Sequence, residues 1–526
     1  VEAMKRKSKS PSKTTPRSDG PELFIALVGA VGTDLEVVST TLCDSLREFN
    51  YVCDEPIRFS QLLHEITNLD TRLIDAPEDQ RIISHMDAGN EFRGKMERGD
   101  ALALLAISAI RALRESKMKD FNRPIPRQAY IFKSLKHPDE VQTLRKIYGS
   151  GFFLISAYSP RRTRIENLSK NIAGSHHKPR SEEYHINAEQ LNQRDEFESE
   201  NKFGQNVRET FPEADIFINT SDKGELQGSV KRFVELLFGN TFRNAFHTPT
   251  RHEYGMFHAK GAALRSASLS RQVGAVISTI DGDIIAVGTN EVPKYGGGLY
   301  WSGDTPDHRD HALAYDSSDK MKNNLLVDIL ERFKKGDWFK KEIVQKTIND
   351  LLLKAKTEVM RDAQIMNVIE YSRAVHAEMA AIVDAARRGV AIEGGNLYTT
   401  TFPCHDCAKH IVAAGVKKVV YIEPYPKSLT SELYPDSIAV DEPGGGRDKV
   451  SFEPFVGIAP RLYMNLFSMD GVKRKDKDGK VIETNKTEAI PRFTEIPPAS
   501  YLLREAEEIT RFQQLMQEKG LSVRDN

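Results

Sequence analysis

His376 and Glu378 stand two residues apart, and Cys404 and Cys407 follow after one expected helix and one expected strand. One imidazole and two thiolates form a ligand set for zinc that keeps a fourth position open for water. The two thiolates roughly neutralise the metal, and enough Lewis acidity remains to ionise that water near neutral pH. Glu378 is placed to take the water's proton and pass it on, rather than to act as a fourth ligand. Pro403 precedes the first cysteine. A helix starting near it puts Cys404 and Cys407, three positions apart, on one face at its positive end. A closed structural site needs four protein ligands, and no further cysteine lies nearby; a dithiol redox pair needs neither His376 nor Glu378. The pattern reads as a catalytic metal centre with a proton carrier beside it.

The flanking segments alternate between strand and helix. Ala263-Leu264-Arg265-Ser266 leads into Gln272–Ile277, an Asp281-Gly282 turn, a strand over Asp283–Val287 and the loop Gly288–Pro293. Downstream, Ala408–Gly415 reads as the helix carrying the cysteines and Val416–Ile422 as a strand, before Glu423-Pro424-Tyr425-Pro426. His376-x-Glu378 with Pro403-Cys404-x-x-Cys407 matches the signature of zinc nucleobase deaminases. The order of A-x-R-S, Q-V-G-A-x-I, G-x-N-x-x-P, H-A-E and P-C-x-x-C-A-K resembles the deoxycytidylate deaminase branch of the cytidine deaminase superfamily, over roughly 251–290 and 375–426.

That resemblance implies a role for each matching position. His376, Cys404 and Cys407 would hold Zn²⁺, and Glu378 would be the general acid and base. Asn290 would contact the sugar, while Ala377, Phe402 and Pro403 would border the base. Arg265, Arg271 and Lys427 are candidates for a 5′-phosphate, and Tyr425 joins the substrate-binding set. Glu291 stands where the family usually has glycine after its asparagine, a departure that bears on activation by a nucleoside triphosphate.

Between Asn290 and His376 lies an insertion over about 296–370, with helices expected at Lys320–Lys335 and Lys340–Arg361. His308 and His311 within it raise the idea of a second zinc. With no cysteine nearby, the segment reads instead as a polar loop that shapes access or a subunit interface.

The first half is a separate domain. A strand at Leu23–Val28 runs into Gly29-Ala30-Val31-Gly32-Thr33-Asp34 and a helix through Phe49, an arrangement that cradles phosphate in P-loop proteins. Gly29, Gly32 and Thr33 are its nucleotide-binding candidates, but the usual lysine and hydroxyl are missing, which points to sensing rather than turnover. Further strands at Arg127–Phe132, Phe152–Ala157 and Ala214–Asn219 alternate with helices, and Arg161-Arg162-Thr163-Arg164 reads as a basic lid. The fold class is α/β: a P-loop kinase-like parallel-sheet domain over 21–245 and an α/β/α cytidine deaminase-like domain over 250–430. A basic, disordered tail is expected over 1–20, and a C-terminal extension packed on the deaminase domain over 431–526.

Lys and Arg total 74 against 75 Asp and Glu, so the net charge of −1 gives no overall field for nucleic acid. No apolar run spans a bilayer and no secretory signal is present, so a cytoplasmic protein with Cys43 and Cys53 as reduced, packed thiols is expected. The whole layout resembles bacterial anti-phage deoxycytidylate deaminases. That implies deoxycytidine nucleotides as substrates (dCTP and dCMP), a homo-oligomer (dimer or hexamer) and a small RNA or phage-derived regulator. Two other readings stay open: a nucleic-acid base deaminase, and a nucleotide-sensing assembly with a vestigial catalytic site.

Overall fold

In the computed structural model, Leu23–Val28 forms β1, and all six of its residues are buried. The structure describes residues 20–198, 201–239, 241–242, 245–338, 363–424, 428–441, 448–469, 473–492 and 498–524. Residues 1–19 of the expected basic tail, the expected helix at 340–361, Tyr425 and Lys427 lie outside the described residues. The chain divides into two units: Val1–Ala214, Ile218–His247 and Met469–Asn526 form one, and Asp215–Phe217 with Thr248–Ser468 form the other.

In the first unit β1 is followed by α1 (Leu35–Arg47), β2 (Val52–Cys53), β3 (Ile57–Arg58), α2 (Glu78–Met96) and α3 (Ala101–Met118). Next come β4 (Gln128–Lys133), α4 (Pro138–Tyr148), β5 (Phe152–Tyr158), α5 (Arg161–Ser175), α6 (His185–Glu196) and α7 (Lys223–Phe238). β1 lies between β4 and β5, parallel to both, and β2 and β3 pair in parallel with β4. Strands buried on both faces read as continuous apolar runs, as β1 and β5 do. The expected basic lid is instead the first turn of α5.

The second unit contains α8 (Arg251–Ala263), β6 (Gly274–Ser278), β7 (Ile284–Thr289), α9 (Ser317–Lys335) and α10 (Ala377–Arg388). Then follow β8 (Asn396–Thr401), α11 (His405–Ala413), β9 (Lys418–Glu423), β10 (Ile438–Val440), β11 (Val450–Pro454) and α12 (Pro460–Phe467). Its sheet runs β7-β6-β8-β9-β11-β10. The β6–β7 and β6–β8 pairs are antiparallel, and the β8–β9, β9–β11 and β10–β11 pairs are parallel. Two glycines let helices lie directly on this sheet. A Cβ on Gly274 would fall 2.0 Å from the Ala259 carbonyl oxygen of α8, and one on Gly288 would fall 2.0 Å from that of Ala377 in α10.

The stretch expected as one C-terminal extension is divided. Residues up to Ser468 belong with the second unit, where β10 and β11 extend its sheet. The later α13 (Pro498–Glu518) belongs with the first. There Arg114 of α3 is fully buried between two carboxylates: its Nε and Nη2 donate to Glu22 at 3.0 and 2.8 Å, and Nη2 donates to Glu505 Oε1 of α13 at 3.1 Å. β11 stops at Pro454. Pro460 then opens α12 at the first helical position, where its missing N–H costs nothing. Among the described residues no helix is long and apolar enough to cross a membrane.

Candidate active site and metal centre

Two helix N-termini meet at the site. His376 is the N-cap of α10 and Cys404 the N-cap of α11, which begins at His405, close after Pro403 as expected. Cys407 sits in the first turn of α11. His376 is held from behind by an antiparallel bridge at its neighbour: Val375 N donates to the Glu291 carbonyl at 3.0 Å, and Glu291 N donates back to the Val375 carbonyl at 3.3 Å. At Gly288 the bare backbone lets α10 come close, which sets the depth of Ala377 and Glu378.

His376 Nδ1 lies 3.2 Å from Cys404 Sγ and 3.4 Å from Cys407 Sγ. Nitrogen and sulfur ligands of one tetrahedral zinc sit roughly 3.5 Å apart, so the donor set fits that ion. All three ligand atoms converge within 4.8 Å, and both cysteines are buried. In the metal-free triad, hydrogen bonding from Cys407 and then from His376 pulls the Cys404 thiol down to about 4. The His376 imidazolium is held up to about 9 by its hydrogen bond to Cys404. Cys407 is pushed well above the usual thiol range by donating to Cys404 and by burial.

Glu378 is 4% exposed. Burial, and then the Cys404 thiolate, raise its carboxyl above the usual range, opposed by His376. Thr399 Oγ1 lies 3.0 Å from Glu378 Oε1 and 3.0 Å from the Thr401 carbonyl oxygen. One hydroxyl proton cannot serve both acceptors. When Glu378 is ionised Thr399 donates to it; when Glu378 is protonated it donates to Thr399, whose own proton then turns to Thr401. Thr399 thus accommodates both protonation states of Glu378 without heavy-atom movement. Nothing in its residue type or spacing marks it in the sequence.

The other candidate residues are engaged as follows. The Asn290 amide donates to the Arg271 carbonyl and accepts from Val273 N, both at 2.7 Å, tying the loop to the start of β6. Phe402 is buried in the core, its ring edge-on to Tyr421 at 4.8 Å. The Pro403 carbonyl accepts from Ser428 and Thr430 at 3.0 and 3.2 Å. Arg265 donates to the carbonyls of Leu299 and Tyr300 at 3.2 Å and stacks on Trp301 at 3.4 Å, so it clasps the start of the insertion. Arg271 is 58% exposed and lies 3.8 Å from Glu423. Glu291 is no bare departure from a pattern. Buried to 2%, it accepts from Ala267 N at 3.0 Å and from Val292 N at 2.9 Å. His311 pairs with Asp307 at 3.4 Å, and among the described residues His308 and His311 form no converging group of metal ligands.

In the first unit the Gly29–Asp34 loop is occupied by the chain's own groups. Val31 N donates to the buried Asp195 at 2.7 Å, Lys136 Nζ reaches Asp195 at 2.8 Å and the Gly29 carbonyl at 3.2 Å, and Asp34 caps α1 by accepting from Glu36 N and Val37 N. A Cβ on Gly32 would fall 2.4 Å from the Arg164 carbonyl oxygen. Thr33 Oγ1 is buried without a hydrogen-bond partner. Beside the loop opens a cavity of 610 Å³, lined by Gly29, Gly32 and Thr33 with Arg58, Lys133 and His85.

Residues 249–423 match the family model of the cytidine and deoxycytidylate deaminase zinc-binding region. The deoxycytidylate deaminase of Enterobacteria phage T4 is 54% identical over 54 residues, covering 10% of this chain and 28% of that protein. The human deoxycytidylate deaminase is 36% identical over 106 residues, covering 19% of this chain and 52% of that one. The chain thus spans between about a quarter and about half the length of these curated relatives. A solved dCMP deaminase from cyanophage S-TIM5, in complex with dCMP and dUMP, aligns at a TM-score of 0.23 and 20% identity, over 40% of this chain and 99% of that one.

Proposed function

We propose that the second unit hydrolyses deoxycytidine nucleotides, dCMP or dCTP, to the deoxyuridine nucleotides and ammonia. The observation that carries this reading is a buried carboxyl, Glu378, beside the converging ligand atoms of His376, Cys404 and Cys407 inside the matched region. These three residues would hold zinc, which when bound supplies the Lewis acidity that makes water a nucleophile near neutral pH. Glu378 takes one proton from the attacking water, delivers it to the pyrimidine ring nitrogen, and relays the second to the departing amine. The water oxygen replaces the amino nitrogen, so the reaction consumes one water per ammonia released. Thr399 follows each change of charge on Glu378 by turning its hydroxyl. Burial of Glu378 favours its proton-carrying state and so suits it to deliver as well as accept.

The same reading places this activity in antiviral depletion of the cytosine nucleotide pool, supported by the resemblance of the two-part layout to anti-phage deaminases. In it the first unit or a partner, such as a small RNA or a phage-derived molecule, sets the activity of a homo-oligomer. The test is ammonia release by zinc-loaded protein from dCTP, dCMP, deoxycytidine, CTP and single-stranded DNA, beside Glu378→Ala. Turnover of dCMP or dCTP that the substitution abolishes is the expected result. Turnover confined to single-stranded DNA would replace this reading with base editing.

A further inference from the structure

Away from the catalytic centre, the first unit brings together a second set of ligand-type side chains. His64 stands in the short turn Leu63–Glu65, Asp75 in the loop that follows, and His85 in α2. His64 Nε2 lies 3.1 Å from His85 Nε2 and 3.4 Å from Asp75 Oδ1. The three ligand atoms all fall within 4.8 Å of one another. Donors held ~2.1 Å from a common ion are ~3.4 Å apart in a tetrahedron and ~3 Å apart as octahedral neighbours. The two measured separations fall in that interval.

The tautomers agree with this reading. His85 Nδ1 lies 2.7 Å from the Arg81 carbonyl, an obligate acceptor, so Nδ1 carries the proton and Nε2 presents its lone pair toward His64. A ring held through its far nitrogen by a backbone carbonyl is the orientation metal-bound imidazoles use. A single Nε2–H on His64 satisfies either His85 or Asp75; an ion among the three satisfies all of them. Arg81, one turn before His85, is held by Glu78 through contacts of 2.6 and 2.7 Å. The side chains of His64 and Asp75 are 41% and 77% exposed, which gives an ion a path from solvent to the buried His85.

We propose that His64, Asp75 and His85 bind a divalent transition-metal ion, with imidazole and carboxylate donors that suit zinc or iron(II). Such an ion ties the segment after β3 to α2. Three protein ligands leave a coordination position for an oxygen donor from outside the chain. His85 also lines the 610 Å³ cavity.

The test uses the full chain carrying Cys404→Ala, so that the catalytic centre no longer competes, titrated with cobalt(II) and followed by its visible ligand-field absorption. The expected result is a saturable spectrum reaching its end point at one equivalent, without the intense near-ultraviolet thiolate band. Adding His64→Gln, or in a separate protein the solvent-facing Asp75→Asn, should weaken binding by at least tenfold, with far-ultraviolet circular dichroism unchanged. A featureless titration overturns the proposal. So does a spectrum that both substitutions leave intact, or one lost on His308→Ala instead. None of these readouts depends on deaminase activity.

Discussion

Zinc loading at His376, Cys404 and Cys407 should expel two protons at neutral pH. Without metal, Cys404 titrates at about 4 because Cys407 and His376 hydrogen-bond to its thiolate, and His376 at about 9 because Cys404 holds its proton. Cys407 lies well above the usual thiol range. At pH 7 the triad therefore starts as one thiolate, one thiol and one imidazolium, the last charged by roughly 100 to 1. Binding requires two thiolates and a neutral imidazole, so the His376 and Cys407 protons must leave. Apparent affinity then rises about 100-fold for each pH unit between roughly 5 and 8. Below pH about 4 protonation of Cys404 steepens the dependence, and above about 9, where His376 is already neutral, it falls to about tenfold per unit. Chelator competition across this range gives the slope. Calorimetry in two buffers of different ionisation enthalpy gives the proton count directly. A slope of one proton or fewer near neutrality would mean that the metal-free triad does not hold two protons at pH 7, and the account of its titration would fail.

Three further outcomes follow from other parts of the chain. Glu378→Gln should keep its full metal content by elemental analysis and lose about 10²–10⁴ in kcat for ammonia release, since it removes the proton carrier but no ligand. Gly288→Ala places a Cβ 2.0 Å from the Ala377 carbonyl and 2.4 Å from Ala381 N, so urea unfolding should show a loss of about 1–3 kcal/mol, with kcat falling as Glu378 is displaced. An unchanged midpoint would refute the close packing of α10 on β7. Glu505→Ala leaves buried Arg114 paired with Glu22 but strips the partner from its Nη1, and a loss of about 1–3 kcal/mol is expected in denaturant melts. A milder loss would mean that water reaches Arg114.

What the sequence disclosed depended on how local each cause was. β1 was legible because six apolar residues in a row require burial on both faces. The candidate ligands His376, Cys404 and Cys407 were legible because residue type and spacing alone suggest their chemistry, and the fold brings the three together. Glu291 was not legible: its carboxylate serves the amide of Ala267, far away in sequence, and looked merely like a residue out of pattern. Thr399 was hidden for the same reason, being an ordinary strand threonine until Glu378 is brought opposite. The placement of α13 rests on Glu505 meeting Arg114, which no periodicity announces. The Gly29–Asp34 loop looked open to a phosphate. Only the fold supplies Asp195 and Lys136, which already engage its Val31 amide and Gly29 carbonyl. His64, Asp75 and His85 carry no sequence signal, since each lies on a different segment.

The antiparallel bridge between Glu291 and Val375 has a consequence for how this chain tolerates change. It fastens the two ends of the long excursion at its root, immediately before His376, and Arg265 adds a second clasp at Leu299 and Tyr300. Closing a loop already pinned in this way depends only weakly on length, with each doubling adding about 0.6 kcal/mol. The bridge can therefore hold the two ends of the excursion together when its length changes. For protein engineering, an exposed position of the peptide between Tyr300 and Val375, away from Arg309 and Ile369, is a natural socket: a sensor or affinity module inserted there would join a loop that ends beside His376.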